Sequence, residues 1–246
     1  MITRVHHVGI LVRRLEEAYA FWRETLGFAV VREAEIPEQA VRASLLTAGP
    51  CEIELLEPTR PDTGVARFLA ERGEGLHHLC FESDDVAREV KRFWATGVHM
   101  IDAQPRPGLA GMVAFVHPRA CAGVLVELAT PADAAAPAAA PLAVAAVHVL
   151  VEDLAAATRL YRDLFGLALA AQDPAFVHLA VGGVTLQFGP AARSGVKPGL
   201  SVVRLQAADP GALARRLERH GVPVRSWSGG LALDPAATRG VPLIIQ

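Results

Sequence analysis

Apolar and polar positions follow two periodicities that succeed each other along the chain. Four segments carry apolar residues at helical spacing, and a glycine suited to the left-handed position that closes a helix follows each of them. A short alternating or β-branched apolar run, which predicts a strand, precedes each helix, and further short strands follow. The pattern therefore predicts four βαβββ modules. The predicted helices are 15–26, 85–96, 154–165 and 211–220, the closing glycines Gly27, Gly97, Gly166 and Gly221, and the strands before the helices 5–12, 76–81, 144–151 and 200–205.

The modules repeat at a nearly regular interval, because the closing glycines are 70, 69 and 55 positions apart. A four-stranded sheet covered by one helix leaves its other face bare, so two modules are expected to pair and to curl around a shared concave face. The sequence thus predicts an α+β protein in which four tandem modules form two domains with curved mixed sheets.

A segment rich in proline and alanine separates the second module from the third. Residues 131–141 cannot continue a helix across their prolines and offer no apolar face to bury, so they predict an interdomain linker. The predicted domains are then 1–130 and 142–246.

Composition narrows the class of protein. The chain has 246 residues, of which 52% are hydrophobic and 20% charged, which is enough apolar material for compact domains. The net charge of -2 provides no broad positive field, so we expect a small-molecule partner and neither nucleic acid nor a membrane. No apolar run approaches the ~20 residues that span a bilayer. With three widely spaced cysteines and no secretory leader, the sequence predicts a cytoplasmic protein.

Candidate chemistry begins with two consecutive histidines in the first strand of each of the first two modules. These pairs are His6-His7 and His77-His78. Successive side chains of a strand point to opposite faces, so only one histidine of each pair is expected to face the concave side. Alternation alone does not decide which one.

A later strand in each of the same modules carries glutamates. The distance from His7 to Glu54 is 47 positions and that from His78 to Glu127 is 49, so the repeat superposes histidine on histidine and glutamate on glutamate. Two imidazoles and two carboxylates suit Zn, Co, Ni or Mn and leave two octahedral positions for water or substrate. Glu127 lies in an otherwise apolar strand, where a buried carboxylate without a partner would be costly. The neighbouring glutamates that remain as alternatives are Glu52 and Glu57.

Five further motifs occur in the same half. They are Ile-Pro-Glu-Gln-Ala-Val at 36–41, Glu-Ile-Glu-Leu-Leu-Glu-Pro at 52–58, Gly-Glu-Gly-Leu-His-His at 73–78, Pro-Arg-Pro-Gly at 105–108 and Phe-Val-His-Pro at 115–118. Through these motifs, residues 4–129 resemble the vicinal oxygen chelate superfamily, which contains the glyoxalases, bleomycin resistance proteins and dioxygenases. Within that superfamily they are most similar to the methylmalonyl-CoA epimerases.

The resemblance implies a reaction and its machinery. The implied reaction interconverts (2R)- and (2S)-methylmalonyl-CoA, or a closely related 2-substituted malonyl thioester, by abstraction of the C2 proton and stabilisation of the enolate. The implied cofactor is one divalent metal ion, Co, Zn, Ni or Mn, and the implied proton-transferring groups are Glu127 and Glu54. The second histidine of each pair is then the inward one. The implied metal ligands are His7, Glu54, His78 and Glu127, and the implied contacts to the acyl-CoA substrate are Gln39, Arg106, His117 and Arg119.

Among the departures from the pattern of these epimerases, one bears on the proton-transferring groups. Some members carry an additional glutamate, a candidate second base, on the strand after the Pro-Glu-Gln motif, and Ala43 stands in that place here. The substitution leaves Glu127 as the favoured base.

The second half keeps the modules but not the ligands. The positions that correspond to the four ligands hold Ala146, Gln187, Val202 and Ile244, of which only Gln187 has a side chain able to coordinate a metal. We therefore expect a degenerate domain that packs against the first, which makes the chain either a pseudo-dimeric monomer or a subunit of a homodimer.

Two other functions fit the same pattern. A lyase resembling glyoxalase I also places four ligands around a metal, and a non-catalytic small-molecule-binding protein of the drug-sequestering kind shares the fold. The Pro-Glu-Gln and Glu-Leu-Leu-Glu-Pro motifs favour the epimerase. Ring-cleaving dioxygenases use two histidines and one carboxylate, so a fourth ligand at Glu54 disfavours them.

Overall fold

The computed structural model describes residues 1–132, 140–193, 197–227 and 229–246. Most of the predicted linker, positions 133–139, lies outside the described residues. Within the described ranges, no helix combines the length and the apolar character that crossing a membrane requires.

The first half of the chain forms one eight-stranded sheet. Its elements are β1 (Ile2–Leu11), α1 (Leu15–Tyr19), β2 (Val30–Ile36), β3 (Val41–Ala48), β4 (Cys51–Pro58), α2 (Gly64–Arg72), β5 (Gly75–Ser83), α3 (Val86–Ala95), β6 (Arg106–Gly108), β7 (Gly111–Val116) and β8 (Val126–Thr130). The strand order is β2-β3-β4-β1-β5-β8-β7-β6. Strands β3 and β4 pair antiparallel, whereas β5 and β8 pair in parallel, so the sheet is mixed.

The second half forms another sheet of eight strands. Its elements are β9 (Leu142–Val151), α4 (Leu154–Phe165), β10 (Ala168–Gln172), β11 (Val177–Val181), β12 (Val184–Pro190), β13 (Gly199–Ala207), α5 (Pro210–Arg219), β14 (Val224–Trp227), β15 (Gly230–Leu233) and β16 (Leu243–Ile245). The order β10-β11-β12-β9-β13-β16-β15-β14 is that of the first sheet. Each half therefore repeats strand, helix and three strands twice, which confirms the four predicted modules and the α+β class.

Helix ends match the signals in the sequence. The four glycines predicted to close helices all have positive φ, between 64° and 84°. Asp209 accepts a hydrogen bond from the backbone N–H of Ala212 at 2.8 Å and so begins the last helix. Asp85 caps α3 by accepting from the backbone N–H of Arg88, and Asp153 caps α4 by accepting from the backbone N–H of Ala156, each at 2.9 Å. These caps satisfy N–H groups that a helix leaves unpaired, so each helix begins where its aspartate stands.

The first predicted helix is the exception in geometry. After α1, residues Ala20–Thr25 form a π-helix, in which the N–H of Leu26 bonds to the carbonyl of Phe21 at 2.9 Å. Two consecutive aromatic side chains of this wider turn are both buried: Phe21 is 5% exposed and Trp22 is 0% exposed. Regular helical spacing does not predict this turn, because it assumes i to i−4 bonding throughout.

Helix α2 was not predicted, and its packing explains why. It has no fully buried residue, so its apolar positions do not form the stripe that marks a core helix. Its beginning is set locally, because the hydroxyl of Thr63 accepts a hydrogen bond from the N–H of Ala66 at 3.2 Å.

The chain divides into two compact units, and each unit combines one module from either half. The first contains Met1–His7 with the second module and the third module, Ala146–Ser201. The second contains the rest of the first module, Val8–His77, with the fourth module, Val202–Gln246.

Aromatic side chains form the core of the first unit. The ring of Phe165 on α4 lies 5.0 Å from that of Phe81 on β5 and 5.8 Å from that of Phe93 on α3. Tyr161, one turn before Phe165, is fully buried, and its hydroxyl donates to the carbonyl of Cys121 at 3.2 Å. Apolar rings therefore meet in this core, and the Tyr161 hydroxyl that enters it is satisfied.

Polar contacts to backbone carbonyls join the two modules of the second unit. Arg216 of α5 donates to the carbonyl of Leu26 at 2.6 Å, and Arg239 donates to the carbonyl of Glu17 at 2.7 Å. Leu26 is the C-cap of the π-helix that follows α1, so Arg216 binds a carbonyl that a helix C-terminus leaves exposed, whereas Arg239 binds a carbonyl of α1 itself.

Two adjacent residues of α3 test the aromatic core. Phe93→Ala removes a fully buried ring and should lower the free energy of unfolding by ~3–5 kcal/mol. Trp94→Ala is the matched control, because Trp94 is 51% exposed, and it should cost about 1 kcal/mol or less. Urea unfolding followed by circular dichroism measures both, and an equal loss for the two variants would contradict this assignment of the core.

Candidate metal centre

Four neighbouring strands at the middle of the first sheet each contribute one polar side chain to a single cluster. Strand β1 contributes His7, β4 contributes Glu54, β5 contributes His78 and β8 contributes Glu127. Their donor atoms all lie within 4.8 Å of one another, and the four residues are at most 5% exposed. The structure thus brings together the four residues proposed as ligands from the sequence.

The distances among His7, His78 and Glu127 are those of donors around one ion. The Nε2 atoms of His7 and His78 are 2.9 Å apart. The Oε2 atom of Glu127 lies 2.9 Å from Nε2 of His7 and 3.2 Å from Nε2 of His78. Two donors bonded to one zinc-sized ion at ~2.0–2.2 Å are themselves ~3 Å apart at the angles of tetrahedral or octahedral coordination. The donor set therefore fits a divalent cation.

The carboxylate of Glu127 supports the same interpretation. Its Oε2 atom is buried and has no hydrogen-bond partner among the described residues, although both imidazoles are at ion-pair distance. Burial alone would raise the pKa of Glu127, but the imidazoles of His7 and His78 hold that pKa below its ordinary value. An ionised buried oxygen without a hydrogen bond is costly, and a bound cation would compensate that cost.

The alternative residues left open by strand alternation have other contacts. His77 packs edge-on against the ring of Phe68 on α2, with ring centroids 4.9 Å apart. Glu57 accepts a hydrogen bond from the N–H of Leu15 at 2.8 Å and so caps the first turn of α1. His6 is different, because it is buried beside His7 and, with Cys80, forms a second group of donor atoms within 4.8 Å. Alternation does not predict that group.

Ala43 lies on the same face of the sheet as Glu54. Glu54 pairs with Leu45 across β3 and β4, and Ala43, two residues before Leu45, pairs with Leu56. Directly paired residues share a face, and so do residues two apart in a strand. Ala43 is 1% exposed and places a methyl group where some epimerases carry a candidate base.

Arg106 is the predicted substrate contact that approaches the cluster. Its guanidinium lies over the ring of Phe115 at 5.4 Å, and that ring contacts His78 edge-on at 5.7 Å between centroids. Nε of Arg106 donates to Asp102 at 3.1 Å, whereas Nη1 is buried and has no hydrogen-bond partner in the described ranges. A buried guanidinium nitrogen of this kind suits an anionic group of a ligand.

The other three predicted substrate contacts lie apart from the metal cluster. Gln39 is half-buried in the turn between β2 and β3. His117 stacks on His99 with ring centroids 4.3 Å apart; partial burial, then His99 and Arg119, lower the pKa of His117. Arg119 is exposed and lines, with His99 and Glu152, a cavity of about 800 Å³. The structure does not bring these three together with the four donors.

Among the described residues of the second sheet there is no equivalent cluster. Cys80 pairs with Glu127 in parallel across β5 and β8, and Arg204 pairs with Ile244 in the same way across β13 and β16. By this register Ile244 occupies in the second sheet the position that Glu127 occupies in the first. Val202 likewise corresponds to His78, as the repeat predicts. Within the described part of the chain, both groups of three or more His, Cys, Asp or Glu donors belong to the first half.

Comparison with known proteins identifies the family. Two family models, both described as glyoxalase/bleomycin resistance protein/dioxygenase superfamily, match residues 6–116 and 143–226. The chain therefore belongs to this superfamily and contains two of its domains.

The first half matches methylmalonyl-CoA epimerases. The mitochondrial enzyme of Homo sapiens is 35% identical over 127 residues, which are 51% of this chain and 72% of the relative. The ethylmalonyl-CoA/methylmalonyl-CoA epimerase of Cereibacter sphaeroides is 36% identical over 131 residues, or 52% of this chain and 98% of the relative. A solved methylmalonyl-CoA epimerase in complex with methylmalonyl-CoA and NH4+ is 37% identical at a TM-score of 0.53, covering 56% of this chain and all of that one.

Other matches extend into the second half. A solved variant of 4-hydroxymandelate synthase from Streptomyces coelicolor covers 99% of this chain and 91% of its own, with a TM-score of 0.71. At 19% identity it shows a common two-domain fold and nothing about chemistry. A probable chloroplastic lactoylglutathione lyase of Arabidopsis thaliana is 27% identical over 166 residues, 68% of this chain and 45% of the relative.

Metal content tests the cluster directly. The purified protein, incubated with Co²⁺ or Zn²⁺ and desalted, should retain one ion per chain, and His78→Ala should lose it because one of four converging donors is gone. His148→Ala is the matched control, since His148 lies on β9, the strand equivalent to β1 in the second sheet. Elemental analysis gives the stoichiometry, and retention of the ion by His78→Ala would refute this site.

Proposed function

We propose that this chain is a metal-dependent epimerase of 2-substituted malonyl-CoA thioesters, acting on methylmalonyl-CoA or a close relative. The observation that carries the proposal is the convergence of two imidazoles and two carboxylates in the half that matches methylmalonyl-CoA epimerases. The proposed ligands are His7, Glu54, His78 and Glu127.

The proposed reaction begins with an acidic carbon. C2 of such a substrate lies between a thioester carbonyl and a carboxylate, and loss of its proton gives an enolate. A divalent ion held by the cluster supplies a Lewis acid that stabilises the negative charge of this enolate. The chain itself must remove the proton from one side of C2 and return a proton from the other.

Two carboxylates of the cluster are placed for these transfers. Glu54 and Glu127 come from β4 and β8, which flank β1 and β5 in the sheet, so they approach the histidines from opposite sides. Glu127 is ionised, because the imidazoles lower its pKa, and an ionised carboxylate can accept the C2 proton. With Ala43 in the place of the additional glutamate, we assign the first transfer to Glu127 and the second to Glu54.

Burial protects the enolate. The four donors are at most 5% exposed, so bulk water has little access to the reacting carbon once substrate covers the cluster. Protonation of the enolate then comes from the glutamates rather than from solvent. Controlled inversion of configuration at C2 requires this.

Arginines are the proposed contacts for the anionic parts of the substrate. We assign Arg106 to the substrate carboxylate, because its buried Nη1 has no hydrogen-bond partner in the described ranges and its guanidinium stacks on Phe115, which contacts His78. Exposed Arg119 is the candidate for a CoA phosphate. Gln39 and His117 remain proposed contacts for the rest of the acyl-CoA.

Compartment and assembly belong to the same proposal. We place the enzyme in the cytoplasm, a setting that three buried cysteines without a disulfide suit. It works as a pseudo-dimeric monomer or as a homodimer, which light scattering in solution distinguishes.

Hydrogen exchange at C2 tests the reaction. The Co²⁺-loaded protein, incubated with methylmalonyl-CoA in D₂O, should exchange the C2 proton, as followed by NMR. Glu127→Gln at saturating metal should slow the exchange at least ~100-fold, because a positioned base is lost. The control is Glu218→Gln, an exposed glutamate of α5, which should exchange at the wild-type rate.

The same assay separates the competing functions. Absence of exchange above background, or full exchange by Glu127→Gln, contradicts the mechanism. Turnover of the methylglyoxal–glutathione adduct instead of the malonyl thioesters would indicate a lyase, a second candidate that the match over 68% of this chain favours. Metal binding without turnover of either would indicate a non-catalytic binding protein. Ethylmalonyl-CoA as a third substrate defines the acyl group.

A further inference from the structure

His6 contacts His7 at the end of the His7 ring that faces away from the metal cluster. Its Nδ1 atom lies 2.9 Å from Nδ1 of His7, and the two rings meet edge-on at 87° with centroids 5.1 Å apart. His6 is 4% exposed and His7 is 0% exposed, so bulk water does not replace this contact. The contact is therefore a buried hydrogen bond at the end of the His7 ring that faces away from the cluster.

Proton accounting decides the direction of this hydrogen bond. A neutral imidazole carries one ring proton, on either Nδ1 or Nε2. Nε2 of His7 faces the cluster, 2.9 Å from Nε2 of His78 and 2.9 Å from Oε2 of Glu127. To coordinate a cation this Nε2 must be unprotonated, so the proton of His7 must sit on Nδ1. Nδ1 of His6 is the atom placed to accept it.

We infer that His6 is a positioning residue that accepts a hydrogen bond from Nδ1–H of His7 and so keeps Nε2 of His7 unprotonated and directed at the cluster. The inference rests on the proposed function in taking that cluster as a metal site. Outer partners of this kind fix the ring orientation and tautomer of a ligating histidine, and their loss typically costs ~10–100-fold in metal affinity. His6 acts through His7 and does not itself touch the substrate.

A second metal ion between His6, His7 and Cys80 is the competing interpretation, since their donor atoms lie within 4.8 Å of one another. Such an ion would require His7 to coordinate through both ring nitrogens and to lose its ring proton altogether. Sγ of Cys80 donates to the carbonyl of Phe81 at 3.8 Å, which is the contact of a thiol, whereas the metal ligand is the thiolate. Hydrogen bonding therefore accounts for the group better than coordination.

Two substitutions of His6 separate hydrogen bonding from packing. Oδ1 of asparagine occupies about the position of Nδ1 of histidine, so His6→Asn keeps an acceptor for His7. Leucine has the branched shape of asparagine without the acceptor. His6→Leu should weaken Zn²⁺ binding ~10–100-fold, and His6→Asn should restore it to within ~3-fold of wild type, as measured by competition with a chromophoric chelator. His77→Leu, the same position in the second module, is the matched control and should bind as wild type does.

A measurement on the unaltered protein covers the case in which His6→Leu does not fold. Nitrogen-15 NMR of the histidine rings of the Zn²⁺-loaded protein should find His7 protonated on Nδ1 and unprotonated on Nε2, with a coupling across the hydrogen bond from Nδ1 of His7 to Nδ1 of His6. A proton on Nε2 of His7, equal affinity of the Asn and Leu variants, or a second zinc ion lost in Cys80→Ser would each overturn the inference. If wild type binds no zinc, the proposed function fails; if it binds zinc but shows no such coupling, only the role of His6 fails.

Discussion

Burial of the Glu127 carboxylate between two imidazoles is the interaction around which the first half is arranged. An ionised group in a protein interior costs several kcal/mol unless opposite charge or hydrogen bonds compensate it. Compensation comes from His7 on β1 and His78 on β5, whose Nε2 atoms lie 2.9 and 3.2 Å from the Glu127 carboxylate. The adjacency of β1 and β5 in the sheet is thus also what brings both imidazoles to this carboxylate.

Local signals in the sequence predict the modular architecture. Helix caps and closing glycines act within a few residues, so Asp209 and the four glycines mark helix ends correctly without knowledge of the tertiary structure. The spacing of His7 to Glu54 and of His78 to Glu127 predicts the cluster because duplication preserves strand register, and equal register brings equal positions together. The same repeat identifies which residues of the second sheet correspond to the ligands, and Ile244, which corresponds to Glu127, has a side chain that cannot bind a metal.

Features that depend on side-chain geometry, tertiary packing or a bound ligand were not predictable in this way. The hydrogen bond between His6 and His7 joins side chains that an ideal strand would point to opposite faces, and the contact of Arg106 with Phe115 depends on the path of the chain between β5 and β8. Helix α2 lacks a buried face, so no periodicity marks it. The roles of Gln39, His117 and Arg119 depend on a bound substrate, which neither apolar pattern nor packing encodes.

Because the four donors come from four adjacent strands, metal binding depends on the correct register of every one of these strands. A shift of one residue in the pairing of any of these strands turns its side chains to the other face of the sheet and removes one donor from the cluster. Overall helix and strand content would hardly change, so ordinary spectroscopy would miss the error. Bound metal per chain then becomes a measure of the fraction of molecules whose central strands are correctly registered.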